Sequence, residues 1–392
     1  MLKGPLDWLV KHTIKYNKYN LKYLAMCEPK TSTKPKLASY SDAKQFRSFL
    51  KGQVFGTIPE VTNDAISNPQ IKNRTIIITG ANSGLGLEAS KQLIQFDCIS
   101  RLVLACRSTT KGDTAREAVL ACVPKDRKDK VDVQVWQLDM ASKASIVAFS
   151  ERTKRDLDRI DAVVLNAGVD LGSRYDKVGE EEGGYEMTLM VNVIGTIMLA
   201  TLMVPVLREK TSGLAQTPRI TITGSAVQFF VKYNVLVDAQ YEEKGEGIFK
   251  WLSDEKRWKG KITEERYFFS KGLLQMLVRQ LAARIQKGTV IINCVGPGYC
   301  ETELFRESAT MGSRIGMKLI GWEAKVGARS LVIGAIGKNG DEKSHGGYMS
   351  EGQVRDCSSW FETEQGDQIG RQLWKEVMDV TREVAPYAES SL

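Results

Sequence analysis

The chain of 392 residues is long enough for one large domain or two small ones, and its 42% hydrophobic and 26% charged residues are typical of globular proteins. A net charge of +8 would suggest a nucleic-acid-binding surface, but residues 1–70 alone carry ten lysines and Arg47 against five acidic residues. The remaining chain has 44 basic and 42 acidic residues, so its composition predicts no nucleic-acid partner.

The first 70 residues form a basic N-terminal extension that differs from the rest of the chain. Apolar residues recur at near-helical spacing between the lysines of residues 1–25, which is typical of a helix lying on an anionic membrane. Peripheral membrane contact through residues 1–25 is therefore one hypothesis. A helix packed on the body of the protein and a poorly ordered tail are the alternatives. Lys3, Asp7 and Lys11 interrupt any apolar core, so no secretory signal is predicted.

Cysteine and histidine usage bears on metal binding and on the cellular compartment. The seven cysteines include no Cys-x-x-Cys pair, and the only histidines are His12 and His345. This composition predicts no metal site and favours a reduced, intracellular compartment, which we expect to be the cytoplasm.

From residue 72 onward, short apolar runs alternate with amphipathic segments. The runs predict strands at 75–79, 101–105, 131–138, 162–166, 219–223 and 289–295, and the segments predict helices at 84–96, 111–120, 142–157, 185–207 and 266–285. Such alternation indicates an α/β fold with a doubly wound parallel sheet. Residues 71–392 are predicted to form a single domain with a C-terminal helical tail at about 362–382.

Residues 187–207 have the length and composition of a transmembrane helix, because they carry no charge and are long enough to cross a bilayer. The stretch contains Asn192, Gly195 and Pro205, however, and the alternating strands and helices continue on both sides of it. We therefore interpret it as a helix buried in the domain or at a subunit interface.

A glycine-rich turn follows the first predicted strand. In Thr79-Gly-Ala-Asn-Ser-Gly-Leu-Gly86, the glycines allow a tight turn and a close backbone approach to a ligand. The helix that begins near Gly84 then directs its free N–H groups and positive dipole end at a pyrophosphate. The pattern predicts a Rossmann-type dinucleotide site that includes Gly80, Ser83, Leu85 and Gly86.

Tyr267 and Lys271 are the predicted centre of the chemistry. They lie four residues apart on a predicted helix, so their side chains share one face. A phenol has a pKa of about 10, and a nearby ammonium and a positively charged nicotinamide would both lower it. The tyrosine could then exchange a proton with a carbonyl or alcohol oxygen. Tyr40 and Lys44 have the same spacing, but no strand or serine supports them.

Several motifs occur in an order that resembles the short-chain dehydrogenase/reductase family, and in particular its fungal members that serve secondary metabolism. The resemblance covers residues 72–300 and rests on the glycine turn, Leu138-Asp139, Asn166-Ala-Gly168, Val191-Asn-Val-Ile-Gly195, Thr223-Gly-Ser225, Tyr267-Phe-Phe-Ser-Lys271 and Pro297-Gly298. It implies an oxidoreductase that interconverts a ketone and a secondary alcohol on a hydrophobic small molecule. A non-catalytic dinucleotide-binding sensor or scaffold with the same fold is the alternative.

The resemblance also implies roles for individual residues. Ser225, at a strand end, would hold the reacting oxygen against Tyr267, although serines are also common in ordinary turns. Lys271 would bind the nicotinamide ribose, and Asn192 would hold a water for a proton relay; a plain core amide is the alternative for Asn192. The remaining predicted cofactor contacts are Asn166 on the adenosine ribose side, Asp139 at the adenine amino group and Thr302 at the carboxamide. Asp139 could instead cap the following helix.

The end of the second strand predicts which nicotinamide cofactor is used. An NAD enzyme of this architecture has an acidic residue there for the ribose 2′-hydroxyl, whereas this chain has Leu104-Ala-Cys-Arg107. Arg107 would pair with a 2′-phosphate, and Ser83 and Lys111 could assist. NADP(H) is therefore favoured over NAD(H), unless Arg107 is simply an exposed loop charge.

Ser225 and Tyr267 are separated by an aromatic-rich insertion at about 227–263, which could form a flap beside the substrate or an external helical insert with its own small core.

The uncharged helix and the Tyr267 helix together resemble the helices that form the four-helix dimer interface of the family, which implies a homodimer or homotetramer.

Overall fold

The computed structural model describes residues 48–66, 68, 70–214, 216–242, 245–258, 265–305, 317–338 and 342–392. In chain order its strands are β1 (Arg74–Thr79), β2 (Ile99–Cys106), β3 (Asp132–Gln137), β4 (Ala162–Leu165), β5 (Arg219–Thr223), β6 (Ile291–Gly296), β7 (Cys300–Glu301), β8 (Trp322–Glu323), β9 (Tyr348–Ser350) and β10 (Gln353–Arg355). The main sheet has the order β3-β2-β1-β4-β5-β6-β9-β10. All its neighbouring strands run parallel except β10, which is antiparallel to β9. Strands β7 and β8 form a separate short ladder.

Helices cover both faces of the sheet. In chain order they are α1 (Gly84–Leu93), α2 (Thr109–Leu120), α3 (Lys143–Asp156), α4 (Met187–Lys210), α5 (Asn234–Glu242), α6 (Ile248–Leu252), α7 (Arg266–Ala282), α8 (Ala324–Ile336) and α9 (Glu364–Arg382). The side chains of β1 alternate between the faces, as the pleat of a strand requires. Ile77 joins the apolar cluster of α3, α4, α7 and α9, whereas Ile76 and Ile78 join that of α1, α2 and α8.

The six predicted strands are all present, so the predicted α/β fold with a doubly wound, mainly parallel sheet is confirmed. Strands β9 and β10 were not predicted from the sequence. Each is only three residues long, and they are joined by Glu351 and Gly352, both with positive φ. A run of three residues is too short to show the alternation by which a strand is detected.

Helix α4 contains the uncharged stretch that imitates a membrane span. In the described part of the chain it is the one helix long and apolar enough to cross a membrane, and 94% of its most apolar window is buried inside the molecule. It packs against α3, α7 and α9, which agrees with the interpretation as a buried helix. Residues Met190–Gly195 adopt a π-helical turn, a local widening that often accompanies functional sites.

The described residues of the 227–263 insertion contribute to the main core. Tyr233 stacks on Trp360 with ring centroids 4.7 Å apart, and Phe249 and Leu252 are buried in the same cluster as α9. Helices α5 and α6 contact each other and α9. This part of the insertion therefore does not enclose a small core of its own. Residues 243–244 and 259–263 lie outside the described residues.

The last part of the N-terminal extension lies against α8. Ile58 and Ile66 are buried in the cluster of α1, α2 and α8, and Ile66 forms an isolated antiparallel bridge with Gly337. Arg329 Nη1 on α8 donates to the Ile58 carbonyl oxygen at 2.8 Å. Residues 1–25, for which membrane contact was predicted, lie outside the described residues, as do Tyr40 and Lys44. The membrane hypothesis therefore stays a prediction.

Candidate active site

A cleft of about 310 Å³ lies beyond the carboxyl ends of the central strands. This is where ligands bind in open α/β sheets, at the point where the strand order reverses between β1 and β4. Ten predicted site residues line the cleft: Gly80, Ser83, Leu85, Arg107, Asp139, Asn166, Ser225, Tyr267, Lys271 and Thr302. Gly86 and Asn192 do not line it. None of the described residues of the insertion after Ser225 lines it either, so these residues form no flap over the cleft.

The glycine turn connects β1 to α1 and is closely packed. Gly80 and Gly84 have φ values of 63° and 53°, which residues with a Cβ rarely adopt. A Cβ on Gly86 would lie 2.6 Å from Asn166 Nδ2 and closer still to the Gly80 carbonyl oxygen. Helix α1 begins at Gly84, and the side chain of its N-cap residue, Ser83, makes no capping hydrogen bond. The turn thus has the backbone geometry that a pyrophosphate cradle requires.

Asn166 ties the end of β4 to this turn. Its Nδ2 donates to the carbonyl oxygens of Thr79 at 3.1 Å and Gly80 at 3.3 Å. The Thr79 hydroxyl in turn accepts from the backbone N–H groups of Asn166 and Ala167, both at 3.0 Å. Thr79 was not predicted as a site residue. The sequence feature that could have identified Thr79 is its hydroxyl group at the last position of a strand that leads into a glycine turn.

Arg107 and Asp139 line the cleft after β2 and β3, where the adenosine part of the cofactor is predicted to bind. Arg107 is exposed and lines the cleft, and no acidic residue follows β2 closely. Asp139 Oδ1 accepts from the Ala141 N–H at 2.9 Å, whereas the N-cap of α3 is Ser142. Asp139 therefore shapes the turn before the helix rather than capping it.

Tyr267 and Lys271 lie on one face of α7 at the opposite end of the cleft. Both side chains are buried, and Lys271 Nζ is 5.6 Å from the centroid of the Tyr267 ring. Nζ donates to the Thr223 carbonyl oxygen at 2.7 Å. Burial lowers the pKa of Lys271 to about 8, and Cys294 nearby acts in the opposite direction.

The pKa of Tyr267 moves in the opposite direction to the predicted one. Burial raises it, and the carboxylate of Asp170 raises it further. The pKa of Tyr267 is raised even though Lys271 Nζ, which donates to the Thr223 carbonyl oxygen, lies 5.6 Å from the centroid of the ring. The protein's own groups thus hold Tyr267 as a neutral phenol, which is the form that donates a proton.

Ser225 lies two residues after the end of β5 and lines the same cleft. Its Oγ accepts from the Val227 N–H at 3.3 Å, a long hydrogen bond that leaves the hydroxyl proton available to another acceptor.

Asn192 lies behind the cleft, in the π-helical turn of α4. Its Oδ1 accepts from the Val169 N–H at 2.8 Å, and its Nδ2 donates to the Val169 carbonyl at 2.9 Å and to Ser270 Oγ at 3.0 Å. Ser270 Oγ donates to the Tyr267 carbonyl at 2.7 Å. The amide of Asn192 thus joins the turn after β4 to the first turn of α7. The sequence predicted neither Val169 nor Ser270 as its partner, and the relay role of Asn192 stays a prediction.

Comparisons with known proteins agree with this geometry. The sequence profile of the short chain dehydrogenase family matches residues 74–226. The short chain dehydrogenase/reductase mfmJ of Annulohypoxylon moriforme is 32% identical over 79% of this chain and 85% of its own length. The short chain dehydrogenase sol3 of Alternaria solani is 35% identical over 72% of this chain and 91% of its own length. The chain therefore belongs to the short-chain dehydrogenase/reductase family.

Family membership confirms the predicted enzyme class, an oxidoreductase that acts on a CH–OH or C=O group with NAD or NADP. Among solved structures, salutaridine reductase from Papaver somniferum is similar in fold, with a TM-score of 0.50 and 22% identity over 67% of this chain and 95% of that chain. At this identity the likeness supports the fold alone.

Proposed function

We propose that the protein is an NADP(H)-dependent oxidoreductase that interconverts a ketone and a secondary alcohol on a hydrophobic small molecule. One observation carries this proposal: Ser225, Tyr267 and Lys271 meet in the same cleft as the glycine turn. The turn fits a dinucleotide because a Cβ would fill the space at Gly86 and because Gly80 and Gly84 need positive φ. The nicotinamide, when bound, exchanges a hydride with the substrate.

The protein's own residues supply orientation and a proton. The Ser225 hydroxyl donates to the substrate carbonyl oxygen and holds it beside Tyr267. Tyr267 then gives its phenolic proton to that oxygen as the alcohol forms. Burial keeps Tyr267 a neutral phenol, which is the protonated form that the reduction requires. Lys271 lies behind the tyrosine, where a positive charge stabilises the phenolate that remains after proton transfer.

Arg107 supports the preference for NADP(H). Calorimetric titration with NADPH and NADH tests it, with Arg107→Leu as the variant and Arg116→Leu, a partly exposed arginine on α2, as the matched control. Loss of a charge-assisted hydrogen bond is expected to weaken NADPH binding by about 10- to 100-fold and to leave NADH binding unchanged. Equal loss for both cofactors, or no loss for either, would contradict the assignment.

The substrate class rests on the fungal relatives and on apolar residues of the cleft. Val169, Val191 and Leu304 line the cleft, and the relatives are short chain dehydrogenases of fungi. A mid-sized intermediate of secondary metabolism fits both observations. The test is NADPH consumption with a panel of hydrophobic ketones, using Tyr267→Phe as the inactive variant and Tyr387→Phe, an exposed tyrosine, as its control. Cofactor binding without turnover of any ketone would favour the non-catalytic sensor instead.

A further inference from the structure

The N-terminal extension reaches the cleft region through one buried side chain. Gln53 lies in a helical segment at 48–55 and is only 3% exposed. Its Nε2 donates to the carbonyl oxygens of Tyr299 at 3.1 Å and Ile320 at 2.7 Å, and its Oε1 accepts from the Tyr299 N–H at 2.8 Å. All these partners are backbone groups more than 240 residues away in sequence. A glutamine amide has two donor N–H groups and one acceptor oxygen, so these contacts engage both donors and the oxygen.

The segments that Gln53 joins form the base of one wall of the cleft. Tyr299 lies between Gly298 and β7, and the Trp322 N–H at the start of β8 donates to the Tyr299 carbonyl at 2.9 Å. Pro297, Gly298, Cys300 and Thr302 all line the cleft. The amide of Gln53 and the short β7–β8 ladder therefore fix the same turn from two sides.

Gly298 shows how closely this turn is packed. Its φ is 82°, and a Cβ there would lie 2.9 Å from Gln53 Oε1 and 2.7 Å from the Trp322 ring. A Cβ on Gly84, at the start of α1, would be in ordinary contact with Thr302 at 3.6 Å. A displacement of Tyr299 would thus be transmitted, within three residues, to the part of the wall that faces the glycine turn.

We infer that Gln53 is a positioning residue for cofactor binding, and that residues 48–55 of the extension are part of the architecture of the cleft. Gln53 acts through the backbone of Tyr299, which sets the position of Pro297–Thr302 relative to α1. The inference rests on the proposed cofactor site. It assigns the extension a role that is independent of membrane contact, since the residues involved follow residues 1–25.

The test replaces the amide by a side chain of similar length. Gln53→Met leaves the Tyr299 N–H and the Ile320 carbonyl without their partner, while the Trp322 contact to Tyr299 remains. We expect the Kd for NADPH and the KM for the ketone to rise about 10-fold, with kcat at saturation changed less than about 2-fold. Arg329→Met is the matched control, because it removes contacts of the same extension at Ile58 and Glu60 and none at the turn.

The Arg329→Met control distinguishes a specific effect of Gln53 on the cofactor site from a general loss of stability of the extension. Arg329→Met is expected to lower the melting temperature as Gln53→Met does, but to leave the Kd for NADPH unchanged. Unchanged NADPH binding by Gln53→Met, or an equal loss in both variants, would overturn the inference and leave the proposed function intact. Failure of the wild-type chain to bind NADPH would overturn the proposed function itself.

Hydrogen–deuterium exchange on the full wild-type chain provides a second measurement that does not depend on the folding of a variant. NADPH is expected to slow exchange at 298–302 and also at 48–55, although no residue of the latter segment lines the cleft. Slower exchange at 298–302 without any change at 48–55 would show that Gln53 is not coupled to the cofactor.

Discussion

Lys271 is expected to reduce the stability of the fold in a pH-dependent way. Burial lowers its pKa to about 8 in the folded chain, against an ordinary value of 10.5. Between these two values the unfolded chain binds more protons than the folded one, so the free energy of unfolding rises with pH. The cost of burying the ammonium is fully present below about pH 8 and disappears above about pH 10.5. The difference corresponds to roughly 3 kcal/mol.

Lys271→Met removes the charge and keeps most of the aliphatic volume. The variant also loses the hydrogen bond to the Thr223 carbonyl, which contributes about 1 kcal/mol. We therefore expect the variant to be more stable than the wild type by about 2 kcal/mol near pH 7, and this advantage to be lost near pH 10. The measurement is urea unfolding followed by circular dichroism at both pH values. Lys287→Met, at an exposed position, is the control and should stay within about 0.5 kcal/mol of the wild type.

Two outcomes would refute this reasoning. One is a stability difference between Lys271→Met and the wild type that is the same at both pH values, because then no proton is linked to unfolding at this site. The other is a variant that is less stable than the wild type near pH 7. A confirmed result would mean that the chain carries a lysine that disfavours folding, which is expected where a charge is required by the chemistry of the site.

Three further substitutions test the site. Gly86→Ala places a Cβ against the Gly80 carbonyl, so we expect NADPH binding to weaken at least about 10-fold in calorimetry; wild-type affinity would contradict the close packing. Asn192→Leu leaves both backbone groups of Val169 unpaired, and urea unfolding should show a loss of about 2–5 kcal/mol; a loss below 1 kcal/mol would contradict the bracing role. Ser225→Ala should lower kcat by about 100-fold without changing the Kd for NADPH; an unchanged kcat would remove the serine from the mechanism.

The elements that could be predicted from the sequence are those with a recognisable pattern within a short segment of the chain. Strand β1 is a short run of β-branched residues, helix α1 is amphipathic, and the glycine turn between them needs residue types that few other structures need. The positions of Tyr267 and Lys271 in one cleft follow from helical spacing and from the rule that ligands bind beyond parallel strand ends.

The unpredicted contacts are long-range and depend on side-chain amides and hydroxyls. Gln53 contacts backbone 246 residues away, and the amide of Asn192 joins two segments across 23 and 78 residues. Nothing local distinguishes such a glutamine or asparagine from one that faces solvent. The raised pKa of Tyr267 was also missed, because the extent of burial depends on how α7 packs in three dimensions.

The packing of α4 and α7 bears on the predicted homodimer. The resemblance assigns a four-helix interface to these two helices, but α4 is almost entirely buried within the chain, and 14 of the 17 residues of α7 are buried as well. Helix α9 contacts both of them, through an apolar face that includes Leu373, Trp374 and Val377. The chain thus supplies from its own C-terminal region the apolar cover that a partner subunit would otherwise provide.

The large apolar side chains that are exposed also lie away from α4 and α7. The large hydrophobic side chains that are exposed among the described residues are on other elements: Phe55, Leu214, Leu319, Val354 and Tyr387. We therefore expect any interface between copies of the chain to lie outside α4 and α7, and deletion of residues 363–392 to produce larger particles by uncovering these two helices. A stable dimer of the intact chain whose interface protects α4 and α7 from hydrogen exchange would contradict this, because α9 would first have to leave its place.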